Sequence, residues 1–155
     1  MSPTVIGFIK TSLISLAAGV ILGVLLALHV LPKADAPQFI TSAHAHINLL
    51  GAVMMLIFGV GYHILPRFSG RPLHNEGAST VQLWMNIIGL AGMFVALIAA
   101  AYSTADLLRW AVAPFGALYA LGGVLFAWNM WMTISGALPA PTPVRPAPKP
   151  PAKGD

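Results

Sequence analysis

The chain has 155 residues, of which 57% are hydrophobic and only 8% charged, and its net charge is +4. A soluble domain usually carries about 25% charged residues, so this composition excludes an ordinary soluble globular protein. The absence of cysteine excludes disulfides and thiolate metal sites. The basic residues lie at predicted helix ends and in the C-terminal tail, so the positive charge does not indicate nucleic-acid binding.

Four windows of the chain contain no charged residue: 11–32, 36–66, 77–105 and 110–144. Each window holds the roughly 20 residues needed to cross a hydrocarbon core of about 30 Å. A backbone in lipid must satisfy its own hydrogen bonds, so each window is expected to be helical. We therefore predict an all-α, multi-pass membrane protein, a four-transmembrane-helix bundle over residues 1–137, in a bacterial-type inner (plasma) membrane.

The first predicted helix extends from about residue 5 to residue 30. Its apolar run of about 20 residues is longer than the 7–15 residues of a signal peptide, so a retained helix is favoured over a cleaved signal. Small residues recur every fourth position and predict close approach of a neighbouring helix. These residues are Thr11, Ser15, Gly19, Gly23 and Ala27.

The remaining helices are predicted at about 40–65, 80–102 and 107–134. Pro66 is expected to stop the second helix. Residues 138–155 are rich in proline and alanine, a composition that cannot pack a core, and we expect a disordered tail there.

The distribution of lysine and arginine predicts that both termini are cytoplasmic. With four spans, the termini and the loop after the second helix share one side of the membrane. That side holds six basic residues: Lys10, Arg67, Arg71, Arg145, Lys149 and Lys153. The other side holds two, Lys33 and Arg109.

The five histidines fall into two groups. His29, His44 and His46 lie at the outer ends of the first two helices, whereas His63 and His74 lie toward the cytoplasmic face. His63 follows His46 by 63 − 46 = 17 residues, or about 25 Å of helix. No single site can therefore contain both groups, and we assign no role to His63 or His74.

His44 and His46 differ by about 200° around a regular helix and would not bind one ion from one face. If the helix begins later than Thr41, irregular backbone would allow the two to converge. Either histidine has a face that would suit a flat macrocycle. The face below His46 is aliphatic, with Leu50, Val53, Ile57 and Val60. The face below His44 has small and polar members, including Asn48, Gly51, Met55 and Gly59.

The segments His46–Gly51 (HINLLG) and Leu56–Pro66 (LIFGVGYHILP) carry a family resemblance. They resemble the second transmembrane helix in the catalytic subunit of nitric oxide reductases and haem–copper oxidases. That family has a His-Thr-Asn-Leu-Leu-like start, a central Phe-Gly pair and an exit that ends in proline. The match extends over residues 43–72, and in both cases the helix enters from the outer side.

The resemblance implies that His46 is an axial ligand of a low-spin haem. For the second ligand we consider His29 first, His44 next and a histidine of a partner chain third. The family's subunit has twelve or more spans, with the active-site metal ligands on later helices. The third and fourth predicted helices here contain no histidine. The resemblance therefore implies no complete oxidase or reductase active site, and whether the chain is an enzyme stays open.

Three hypotheses follow. The first is a membrane b-type cytochrome-like protein that binds haem b for electron transfer or diatomic gas binding. The second is a cofactor-free structural or assembly subunit of a larger respiratory complex. The third is a copper or zinc site built from His29, His44 and His46. The expected partners are the lipid bilayer and either a second copy of the chain or a larger respiratory complex.

Overall fold

The computed structural model describes residues 1–135, which form four long helices. They are α1 (Pro3–Ala27), α2 (Gln38–Phe68), α3 (Glu76–Ala101) and α4 (Asp106–Ser135). Each is long and apolar enough to cross a membrane, and no strand occurs within these residues. The predicted all-helical, four-span architecture is confirmed. The predicted tail, 138–155, lies outside the described residues, and the side of the membrane that holds the termini stays a prediction.

The helices pack as two pairs. α1 packs along α2, and α4 packs along α3 over most of its length. The first part of α2, Gln38–His46, packs on α3 and joins the pairs. At the end of the bundle that holds the N-terminus, the aromatic rings of Phe8, Phe58, Tyr62 and Phe126 stack with centroids 4.7–5.9 Å apart.

The small residues of α1 form the contact with α2, as predicted. A Cβ added to Gly23 would lie 2.8 Å from the Cε1 atom of His44, closer than such atoms can approach. On the opposite side of this contact, a Cβ on Gly51 would lie 2.6 Å from that of Ser15. Glycine at these positions lets the two backbones approach closely, as is common between helices in membranes.

Helix α1 ends three residues earlier than predicted. It ends at Ala27, because His29 adopts a left-handed conformation with φ of 56°. The Val30 amide closes this turn by donating to the Leu25 carbonyl. His29 therefore lies on the loop after α1 and not on the helix itself.

The prediction that Pro66 stops α2 is wrong. The helix continues through Pro66 to Phe68. Proline lacks the N–H that would bond four residues back, but near the end of a helix this removes one hydrogen bond without ending the helix. Helix α3 begins at Glu76, earlier than predicted, because the Asn75 side chain caps it by accepting from the Ala78 amide at 2.9 Å.

Candidate functional site

Regular α-helix extends from Gln38 to His46, so His44 and His46 lie on ordinary helical backbone. The alternative in which the helix begins after Thr41 is therefore wrong. Residues two positions apart on a regular helix differ by about 200° around its axis, so the two imidazoles face different surroundings. The structure does not bring these two histidines together.

The His44 imidazole faces α1. Its Cε1 atom lies against Gly23, where a Cβ would be 2.8 Å away. Asn48, one turn further along, donates from Nδ2 to the His44 carbonyl at 2.9 Å and lies 3.3 Å from the ring Nδ1. Asn48 itself fills the space left by Gly19. This side of α2 is thus closed by α1, and no flat macrocycle fits between them.

The His46 imidazole is oriented by its own helix. Its Nδ1 atom lies 2.7 Å from the Ser42 carbonyl oxygen, and the Ser42 hydroxyl is further away at 3.4 Å. A carbonyl oxygen can only accept, so Nδ1 carries a proton, and in the neutral imidazole Nε2 then keeps its lone pair. This is the arrangement by which proteins prepare a histidine for a metal: one nitrogen held by the backbone, the other free to bind.

The exposed side of α2 that follows His46 in the sequence is aliphatic. Leu49, Val53 and Ile57 are 59%, 48% and 48% exposed, whereas His46 itself is partly buried. An imidazole with a free Nε2, on a helix whose exposed side is aliphatic, fits the edge and plane of a haem. The residues present therefore fit one axial ligand and one wall of a haem site.

Immediately after His46, α2 changes from α to π geometry. The π-helical segment is Ile47–Met54, and ordinary α-helix resumes at Met55. π-helical turns are rare, bond i→i+5 and occur frequently at functional sites. Because a π-helical turn contains more residues than an α-helical turn, the residues predicted to lie below His46 on a regular helix do not all lie there.

Two neighbouring helices bond to the carbonyls of this π-helical segment. The Ser12 hydroxyl of α1 donates to the Ala52 carbonyl at 2.7 Å. The Tyr119 hydroxyl of α4 donates to the Leu50 carbonyl, also at 2.7 Å. Sequence reasoning did not identify Ser12 or Tyr119. The available signal was a polar side chain inside an apolar span, which normally has a partner there.

The remaining histidines lie elsewhere. His29 is exposed on the loop after α1, with its Nδ1 atom 2.8 Å from the Leu26 carbonyl. His63 and His74 lie toward the other end of the bundle, where His74 packs its ring on Trp128. Among residues 1–135, no three His, Asp or Glu side chains gather in a geometry that could hold a metal ion. The predicted three-histidine copper or zinc site is thus not assembled.

Comparison with known proteins places these features in context. Residues 2–138 match the family described as cytochrome c and quinol oxidase polypeptide I. The chain is 30% identical to the Cbb3-type cytochrome c oxidase subunit CcoN1 of Stutzerimonas stutzeri, over 64% of this chain and 26% of the relative. It is 28% identical to a cytochrome c oxidase subunit 1 homolog of Azorhizobium caulinodans, over 61% of this chain and 21% of the relative. The match thus spans about a quarter of these relatives.

Proposed function

The chain belongs to the cytochrome c and quinol oxidase polypeptide I family, and from this premise we propose that it is a membrane b-type cytochrome-like protein that binds haem b through His46. Its function would be electron transfer or the binding of a diatomic gas. The observation that carries the proposal is the His46 imidazole, held through Nδ1 with Nε2 free, on a helix whose exposed side is aliphatic.

Each residue of this site has a distinct task in the proposal. His46 offers Nε2 to the iron, and the Ser42 carbonyl holds the ring by accepting from Nδ1. Leu49 and Val53 would cover the macrocycle and exclude water. Haem iron supplies one-electron chemistry when its axial positions are filled and gas binding when one is open.

The second axial ligand is proposed to come from a partner chain. His44 faces α1 and lies about 200° from His46 around the helix. His29 has the same kind of Nδ1 contact, to the Leu26 carbonyl, but lies exposed on the loop after α1; it remains the candidate within this chain. A partner would also cover the exposed side of α2. We propose a second copy of the chain or another subunit of a larger respiratory complex in this place.

An absorption spectrum tests the proposal. Protein purified in detergent from haem-replete cells is expected to show a Soret band with reduced-minus-oxidised b-type features. His46→Ala is expected to abolish this band, because the variant loses the ligand. His44→Ala is the matched control two residues away, and it is expected to keep the band. A colourless wild-type preparation, or a band that survives His46→Ala, would overturn the proposal.

A second candidate is a cofactor-free structural or assembly subunit of a respiratory membrane complex. The observation in its favour is the same exposed aliphatic side of α2, which would then pack directly against another subunit. The two candidates differ in a co-purification experiment. A larger partner retained equally by wild type and His46→Ala, with no absorbance belonging to this chain, would favour the structural role.

A further inference from the structure

A cavity of about 650 Å³ lies at the end of the bundle opposite His46, where α1 begins, α2 ends and α3 begins. Its volume falls within the range of small-molecule sites, about 300–1,000 Å³. All three helices contribute to its walls. It lies far from the proposed haem side of α2, so neither site depends on the other.

The cavity is lined by one acidic side chain, one arginine and the N-terminal residue Met1, and the two charged side chains form no ion pair with each other. Arg67, near the end of α2, and Glu76, at the start of α3, both line it, and both side chains are exposed. Within residues 1–135 the one salt bridge joins Asp106 to Arg109, at the other end of the bundle. Arg67 and Glu76 therefore remain without an opposite charge in the part of the chain that the structure describes.

The guanidinium of Arg67 is held in place by His63. Its Nη1 atom lies 2.6 Å from the His63 Nε2 atom. Arginine can only donate, so this ring nitrogen is unprotonated and accepts. The contact uses one of the five N–H donors of the guanidinium, and the rest of that planar group is suited to binding a phosphate.

The rest of the lining combines apolar side chains with hydroxyl groups, which belong to Ser2, Thr4, Ser79 and Thr80. Val5 and Leu83 are buried side chains from α1 and α3. Trp84, which also lines the cavity, is 57% exposed on the outer surface of α3. Tryptophan is enriched where a membrane protein meets the headgroup region. The cavity thus joins a charged, solvent-facing part to a surface suited to hydrocarbon chains.

From these observations we infer that the cavity binds a zwitterionic phospholipid with a primary ammonium group. The phosphate lies at Arg67, the ammonium group lies at Glu76, and the acyl chains extend along Leu83 and Trp84. A purely anionic lipid would pair with Arg67 but would be repelled by the Glu76 carboxylate. A phosphate ion has no hydrocarbon chains and would leave the apolar side chains of the cavity uncovered.

Native mass spectrometry of the full-length protein tests this inference. Delipidated protein is offered equal amounts of phosphatidylethanolamine and phosphatidylglycerol. Wild type is expected to retain phosphatidylethanolamine about fivefold better, the factor that corresponds to one exposed ion pair of about 1 kcal/mol. Glu76→Gln is expected to remove this preference, and Arg67→Gln is expected to lower retention of both lipids. Arg67→Lys, which keeps the charge, should restore part of the binding.

The matched control is Arg109→Gln, which removes a cation at the opposite end of the bundle and is expected to change neither lipid. Equal retention of both lipids by wild type would overturn the inference, as would a preference that survives Glu76→Gln. Soluble glycerophosphoethanolamine, which has the headgroup but no chains, is expected not to displace the lipid. Displacement at equal concentration would show that the cavity recognises the headgroup alone and would overturn the lipid assignment.

Discussion

The two sides of α2 near its N-terminal end carry the same kind of side chain in opposite surroundings. His44 is packed on Gly23 of α1 and lies beside Asn48, whose amide bonds to the His44 carbonyl. His46, two residues later, is held by its own backbone and borders a side of the helix with exposed Leu49 and Val53. One imidazole is part of a helix contact, and the other has a nitrogen free.

This difference separates two histidines that have the same residue type and nearly the same position along the helix. Both residues meet the general expectation that an ionisable group in a span is functional. Of the two, only His46 has a ring nitrogen held by a backbone carbonyl and lies on a helix with an exposed aliphatic side. His44 is better explained as part of the polar contact that fixes α1 against α2.

The contact between α1 and α2 is expected to be more sensitive to a larger side chain than the exposed side of either helix. Gly19→Leu places a side chain in the space that Asn48 fills, and such overpacking typically costs about 1–3 kcal/mol. We expect a loss of unfolding free energy near the top of this range, which would be detected as a lower midpoint of thermal unfolding in detergent. The control is Val20→Leu at the adjacent position, where Val20 is 55% exposed and a larger side chain has room. Equal midpoints for the two variants would contradict the close contact.

Removing the hydroxyl of Tyr119 is expected to have the next largest effect. Tyr119→Phe leaves the Leu50 carbonyl of the π-helical segment without its donor, at a cost of about 1 kcal/mol in unfolding free energy. Amide hydrogen exchange in residues 50–56 should become faster. Tyr102→Phe is the control, because the Tyr102 hydroxyl makes only a long contact of 3.5 Å to the Pro32 carbonyl. Unchanged exchange in Tyr119→Phe would mean that the π-helical segment does not need this bond.

Ser12→Ala removes the donor to another carbonyl of the same segment, that of Ala52. The expected loss of unfolding free energy is slightly smaller, about 0.6 kcal/mol, the average for a hydrogen bond between membrane helices. The cost of the double variant, Ser12→Ala with Tyr119→Phe, should differ from the sum of the two single costs by about 0.5 kcal/mol, since both bonds hold one segment. Thr11→Val is the control, because its hydroxyl bonds within α1, to Gly7. Strict additivity would indicate that the two ends of the segment behave independently.

The smallest effect is expected on the open side, for Ser42→Ala. The His46 ring is held by the Ser42 carbonyl, which the substitution keeps, and the hydroxyl is 3.4 Å away. Haem affinity, measured by titrating haem into apoprotein and following the Soret band, should change by less than about 0.5 kcal/mol, or about twofold. A tenfold loss would show that the hydroxyl, and not the backbone, orients the ligand.

Much of the architecture follows from the sequence by itself. The uncharged windows determine four spans, because lipid accepts only long apolar helices at those lengths. The recurring small residues on α1 determine a close helix contact, and the spacing of His44 and His46 determines that they face different ways. These properties are local, since they depend on residue type and helical period alone.

Only the tertiary structure decided which histidine faces the packed side. That outcome depends on where α1 lies, and no local pattern encodes it. The π-helical segment after His46 is likewise tied to the tertiary structure, because two of its carbonyls accept from side chains 40 and 69 residues away in sequence. The meeting of Arg67 and Glu76 at one cavity has the same origin. Local sequence sets which helices form, and packing between them sets which of their polar groups remain free to bind.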